Sequence, residues 1–324
     1  MIMTFNNEII DIVKKSSLVA ICCHIKPDAD CLGSASALKS ALLKMGKEVD
    51  IFCDGEINDN FMFMPHMKDV NPSLKPYDLV IAVDCAEITR TGHYCELFEN
   101  HSNTLSIDHH FFGNSDQFAK YLVKYECSST AEILFHFINA LEVEIDTDIA
   151  TGLYAGMVSD TGGFMHANTT AELHTVVGQI MHLIPNVNDV NYYLCKRRTM
   201  GQMELMKIAL NNMKFIYNEK VAITYLTLKD FHKTNTLNNE TFGIVDTCVN
   251  IDTIEMGILI SEKSPSLYSV SFRGKNRNVA LIAEAFGGGG HKLAAGCNIF
   301  GTHATVIEKI EKVIKDNYDR ICQC

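Results

Sequence analysis

The sequence predicts an α/β protein: a mostly parallel, doubly wound sheet domain followed by a smaller α/β domain with a mixed sheet. Three observations predict it. Short apolar runs of strand type alternate with segments whose apolar residues recur at helical spacing. Acidic or imidazole residues close those runs in turn, as in Leu79–Asp84 and in Thr104–Ile107 followed by Asp108-His109-His110. Beyond Pro185 the alternation breaks and the chain changes character, as expected where one domain gives way to another.

Taken in order, residues 5–15 suit a first amphipathic helix, and 18–23 (Leu-Val-Ala-Ile-Cys-Cys) a buried strand. His24-Ile25-Lys26-Pro27-Asp28-Ala29-Asp30 then forms a loop that Pro27 stiffens. Leu32, Ala35, Leu38 and Leu42 carry a helix over 33–44, stopped by Gly46. Strands are expected at 47–53, 79–84 and 104–108. Ser129-Thr130-Ala131-Glu132 and Thr169-Thr170-Ala171-Glu172 have capping-box spacing ahead of apolar helical runs. A helix over 148–158 leads to Asp160. These elements define a first domain over 1–187, a linker over 188–203 and a second domain over 204–324, with a helix near 200–212. In the second domain, strands are expected at 221–226, 255–260 and 267–273, and helices at 279–286 and 304–314.

Composition narrows the function classes. The net charge is −11, from 28 basic and 39 acidic residues, which argues against a broad face for long nucleic acid. A short anionic substrate held by metals and a local basic patch remains compatible. The twelve cysteines form no ordered Cys-x-x-Cys pairs and read as small buried thiols. Met1–Ser17 lacks a signal-type apolar stretch, and no run reaches the roughly 18 residues of a membrane span. The expectation is a cytoplasmic protein with no membrane partner.

Parallel strands deliver their C-terminal ends to one edge of a sheet. His24, Asp28, Asp30, Asp84, Asp108, His109, His110 and Asp160 can therefore converge in one crevice. So many carboxylates cannot all stay ionised together without cations. Carboxylate and imidazole donors suit Mn, Mg, Fe or Co, and two metals about 4 Å apart are the usual arrangement for phosphoryl chemistry. Taken singly, each station also fits a capped helix or a turn.

His-x-x-x-Asp-x-Asp, a lone strand-end Asp, Asp-His-His and Asp160-Thr161-Gly162-Gly163, in that order, resemble the motifs of the DHH phosphoesterase superfamily. Gly287-Gly288-Gly289-Gly290-His291-Lys292-Leu293-Ala294-Ala295-Gly296 resembles the signature of its associated C-terminal domain. The resemblance spans nearly the whole chain, breaks no motif position, and is strongest to the branch of bifunctional oligoribonucleases (nanoRNases) and pAp phosphatases.

The resemblance implies two divalent ions, Mn2+ first, with Mg2+ or Co2+ as alternatives. His24, Asp28 and Asp84 would bind one, and Asp30, Asp84, His109 and Asp160 the other. Asp84 would bridge them, and a bridging hydroxide would attack phosphorus. Asp108 would support the site, and His110 would face the substrate phosphate as a charge stabiliser or proton donor. Arg90 and the 128–130 helix start fit either a phosphate contact or a structural role.

In the second domain, Gly288, Gly289, Gly290 and His291 with Arg273 would clamp a nucleotide. The glycines alone would read as a flexible turn. The implied active site lies in a cleft between the domains and takes short RNA from an end, together with adenine nucleotides such as pAp; a homodimer is compatible. Rival readings are a linear or cyclic dinucleotide phosphodiesterase and a non-catalytic nucleotide sensor. The glycine clamp argues against a manganese pyrophosphatase. The sensor is expected to lack a metal ligand, and all six are present.

Overall fold

The computed structural model describes residues 3–99, 101–110, 118–238 and 240–321. The chain divides into two compact units, Met1–Arg197 and Arg198–Cys324.

The first unit is built on five parallel strands: β1 (Leu18–Cys22), β2 (Glu48–Phe52), β3 (Leu79–Val83), β4 (Thr104–Asp108) and β5 (Tyr121–Lys124), in the spatial order β2-β1-β3-β4-β5. Both faces of the central strands are covered, so β3 and β4 are buried at every position. The strand order reverses direction at the β1–β3 pair. Open α/β sheets bind ligands outside the strand C-termini at such a point. His24 follows β1, Asp84 follows β3, and Asp108 ends β4.

The helix after β1 differs from its expectation. It runs from Ala29 to Lys44, four residues earlier than the apolar spacing indicates, with Asp28 as its N-cap. Asp28 and Asp30 therefore sit on a helix start, not in a loop. Two backbone amides, of Asp30 and Cys31, donate to Asp28 Oδ1 and fix that start. Every residue from Ala29 to Leu42 is buried, because helices Thr130–Ala140 and Thr147–Asp160 pack over it. Gly33 and Gly152 permit the crossing: a Cβ on Gly33 would lie 2.4 Å from the Gly152 carbonyl oxygen.

Strand β5 was not expected. Its four residues, Tyr-Leu-Val-Lys, are too short and mixed to announce an edge strand. The helix Ala171–Ile180 is capped by Thr170, whose side chain accepts from the Leu173 amide, and not by Thr169. Residues Val187–Asn191 are helical and Tyr192–Lys196 form a π-helical turn, so chain with regular structure runs up to the unit boundary.

The second unit carries a mixed six-stranded sheet ordered β10-β11-β9-β8-β7-β6. Its strands are β6 (Lys214–Ile216), β7 (Val221–Leu226), β8 (Met256–Ser264), β9 (Leu267–Gly274), β10 (Gly289–His291) and β11 (Ala294–Phe300). Only β7 and β8 pair in parallel. Helices Ala280–Glu284 and His303–Ile321 accompany this sheet, whose apolar core is its own. The second half of the glycine run is strand. Gly289 and Gly290 enter β10 and pair antiparallel with β11.

Candidate metal centre

Asp84 is the hub. It follows β3 with a left-handed backbone (φ 57°), a conformation uncommon outside glycine that asparagine, aspartate and histidine adopt more readily than other residues. Such outliers concentrate at functional sites. Its amide donates to the Ile107 carbonyl, and its Oδ1 accepts from the Thr130 hydroxyl at 3.0 Å. Three imidazoles surround the carboxylate. His24 Nε2 is 3.5 Å from Oδ2, while His109 Nε2 and His110 Nδ1 are each 3.5 Å from Oδ1.

Asp30 is completely buried beside this hub. Its two oxygens accept from the amides of Thr130 (2.8 Å) and Ala131 (3.0 Å), the opening amides of helix Thr130–Ala140. A helix start is a ready anion site, so this helix holds Asp30 in place. Asp160, at the end of helix Thr147–Asp160, brings Oδ2 to 3.2 Å from His109 Nε2. Asp28 stands further out, with Oδ2 3.8 Å from His24 Nε2 and its side chain half-exposed.

The electrostatics mark a site short of positive charge. Burial, then the charges of Asp160, Asp84 and Asp28, hold the Asp30 carboxyl well above the usual range. Burial, then Asp84 and Asp28, do the same to Asp160. Burial opposes protonation of His24, but Cys31, Asp84 and Asp28 outweigh it and push the imidazole up to about 11. Protons retained this way are those a divalent cation displaces. His24 is 1% exposed, yet neither ring nitrogen has a hydrogen-bond partner. A buried imidazole in that state fits a metal ligand.

Among the described residues, three groups place ligand atoms within 4.8 Å of one another: Asp30–His109–Asp160, Asp84–His109–His110 and His24–Cys31–Asp84. The donor set fits divalent cations. Of the six expected ligands, Asp28 alone falls outside these groups.

Asp108 is fully buried and stands outside these groups. Its Oδ1 accepts from His110 Nδ1 at 2.7 Å and from the His110 amide at 3.2 Å. This pairing puts the Nδ1 proton on the Asp108 side. Burial alone would depress His110, but Asp108 and Asp84 raise it above the ordinary imidazole value, with Arg90 opposing. His109 is depressed, burial being the main cause, and its Nδ1 lies 3.4 Å from the Cys127 carbonyl. Arg90 is half-buried near enough for its charge to bear on His110.

Thr130 and Cys31 are the residues sequence reasoning missed. Thr130 stood out only as part of a helix start, and its grip on both Asp84 and Asp30 needs the packed fold. Cys31 looked like one buried thiol among many.

In the second unit, register places His291, Ala294, Arg273 and Gly257 in one row across β10, β11, β9 and β8. The side chain of His291 lies outside the described residues. Arg273 Nε donates to Asp246 Oδ1 at 3.1 Å, and its Nη1 to the Phe272 carbonyl. Gly288 and Gly290 are demanded by the hairpin, since Cβ atoms there would sit 2.3 Å from the Gly296 oxygen and 2.6 Å from the Ala294 oxygen. A Cβ on Gly289 would meet nothing within 4 Å.

Known proteins match along the whole chain. The DHH family N-terminal domain matches residues 18–157, and the DHHA1 domain residues 207–319. The probable bifunctional oligoribonuclease and PAP phosphatase NrnA of Streptococcus mutans is 25% identical over 323 residues, 97% of this chain and 100% of that protein. The Bacillus subtilis protein named bifunctional oligoribonuclease and PAP phosphatase NrnA is 26% identical over 281 residues, 86% of this chain and 88% of its own length. A crystal structure of an exopolyphosphatase-related protein from Bacteroides fragilis superposes with a TM-score of 0.90 at 21% identity, covering 97% of this chain and 96% of that one. The chain thus carries a DHH family N-terminal domain, which includes His24, Asp28, Asp30, Asp84, His109 and His110, and a DHHA1 domain, which includes the glycine strand.

Proposed function

We propose that this protein is a metal-dependent phosphohydrolase that degrades short oligoribonucleotides to mononucleotides and converts pAp to AMP. One observation carries the reading most directly: a buried Asp84 whose carboxylate three imidazoles approach to 3.5 Å, at the switch point of a parallel sheet. The full-length similarity to proteins named oligoribonuclease and PAP phosphatase supports the substrate class.

Two divalent ions, Mn2+ first, would be held by His24, Asp28 and Asp84 on one side and by Asp30, Asp84, His109 and Asp160 on the other. When bound, they supply Lewis acidity and an acidified water for in-line attack at phosphorus. The protein's own groups do the rest. Thr130 and Ala131 keep Asp30 and Asp84 aimed inward. Asp108 holds the Nδ1 proton of His110, so Nε2 is the atom that gives a proton to the leaving oxygen. Arg90 adds positive charge near His110 for the phosphate. In the second unit, Arg273, Gly288, Gly289, Gly290 and His291 would grip a nucleotide. A confined grip of this kind favours short strands attacked from an end. The setting we infer is cytoplasmic, and a homodimer is compatible with it; among the described residues no helix is long and apolar enough to cross a membrane.

The test is product formation with Mn2+ from a 5′-labelled RNA dinucleotide or trinucleotide, beside phosphate release from pAp and from pyrophosphate. Mononucleotides and AMP are the expected products, with a pentanucleotide consumed much faster than a long strand. Equal rates on both lengths would sink the end-processing reading. Phosphate from pyrophosphate alone would preserve the metal centre and overturn the nucleotide grip. Tight nucleotide binding with no turnover would favour a sensor.

A further inference from the structure

The DHH ligands do not use every donor at the centre. Cys31 is the third residue of helix Ala29–Lys44, and its Sγ belongs to the group formed with His24 and Asp84. All three residues are buried. The thiol is positioned from two sides: the His24 amide donates to Sγ at 3.3 Å, and Sγ lies 3.6 Å from the Val83 carbonyl oxygen. Its own amide is tied to Asp28 Oδ1. Cys22, Cys23, Cys53 and Cys85 are buried as well, but among the described residues Cys31 is the cysteine that falls within a metal-ligand group. The independent observation is His24, whose two ring nitrogens are buried and without hydrogen-bond partners in that same group.

We propose that Cys31 is a metal ligand, and that Sγ together with His24 and Asp84 makes this centre a site for thiophilic divalent cations such as Zn2+, Cd2+ or Co2+. The proposal rests on the metal-centre reading above and adds a donor to it. Carboxylates and imidazoles alone serve Mn2+ and Mg2+, whereas a thiolate biases a site toward softer ions. Coordination forms a metal–sulfur bond and releases the S–H proton to solvent, with no change of oxidation state. The softer ion then competes for two ligands that the hydrolytic centre needs.

Cobalt absorption reads the ligand directly, without turnover. The full-length protein, stripped of metal and titrated with Co2+, is expected to show sulfur-to-cobalt charge-transfer absorption in the near ultraviolet beside visible d–d bands. Cys31→Ser is expected to lose the charge-transfer band and keep the d–d bands, while Cys85→Ser keeps both. A wild-type spectrum with d–d bands alone overturns the proposal and leaves the metal centre standing. Survival of the charge-transfer band in Cys31→Ser also overturns it. A folded wild type that takes up no cobalt overturns the metal-centre reading itself. Should Cys31→Ser fail to fold, X-ray absorption at the cadmium edge of the Cd2+-loaded wild type decides: cadmium–sulfur scattering supports the proposal, and a shell of nitrogen and oxygen alone overturns it.

Discussion

Gly156 and Asp30 share one space: a Cβ on Gly156 would stand 2.5 Å from Asp30 Oδ1 and 2.6 Å from the Ala131 Cβ. The helix Thr147–Asp160 can pass this close only because that position has no side chain. Gly156 thus sets where Asp30 sits, although it contributes no donor to the centre. Gly156→Ala is expected to cost about 1–3 kcal/mol of stability by overpacking. It is also expected to weaken Mn2+ binding about tenfold or more by displacing Asp30. Calorimetric titration of Mn2+ into the folded variant checks this; unchanged affinity would show that Asp30 keeps its place without the glycine.

Thr130 ties the centre together from the other side, through its hydroxyl to Asp84 and its amide to Asp30. Thr130→Val keeps the shape and the amide but removes the hydroxyl. The expected result is Mn2+ affinity lowered about tenfold, with little change in thermal stability. Electron paramagnetic resonance of free Mn2+ measures it.

The raised carboxyl of Asp160 makes a statement about pH. A group held above its ordinary value favours the folded state while protonated, and that stability is lost as pH rises through the raised value. The metal-free wild type should therefore melt lower than Asp160→Asn at neutral pH, by roughly 2 °C or more. The two should converge as pH falls to the ordinary carboxylate range. Saturating Mn2+ should reverse the order, because the variant has lost a ligand. Melting curves at several pH values, with and without Mn2+, decide it.

Asp108→Asn separates proton placement from metal binding. The carboxylate accepts from His110 Nδ1 and stands outside the metal-ligand groups. An amide there no longer enforces the Nδ1 proton. The expected outcome is a kcat for pAp lowered about 100-fold or more, with Mn2+ affinity held. A parallel fall in Mn2+ affinity would place Asp108 among the ligands.

In the second unit, Gly289 and Gly288 give opposite predictions. A methyl group at Gly289 meets nothing, so Gly289→Ala should fold normally. A rise in KM for pAp would show that substrate backbone approaches there. Gly288→Ala collides with the Gly296 carbonyl and should destabilise the unit by about 1–3 kcal/mol. Arg273→Ala should raise KM for pAp about tenfold, the value of a charged hydrogen bond, and leave Mn2+ affinity unchanged.

What the sequence by itself determined is what depends on near neighbours. Polarity and period set apart β1, β3 and β4, and the acids and imidazoles that close them, because a buried parallel strand must be apolar and must end at a polar edge. The motif spacings carried the family, and with it the expectation of a metal centre. The tertiary structure alone decided the strand order that sets β1 beside β3, and with them His24 beside Asp84. It also decided that a helix start a hundred residues away supplies the amides for Asp30. The early start of helix Ala29–Lys44 was hidden because its cap is a site residue. The strands β5 and β10 were hidden because four mixed residues and a glycine run form strands only when a neighbouring strand supplies their hydrogen bonds. Cys31 shows the same limit: burial and partners are properties of packing, and packing is non-local.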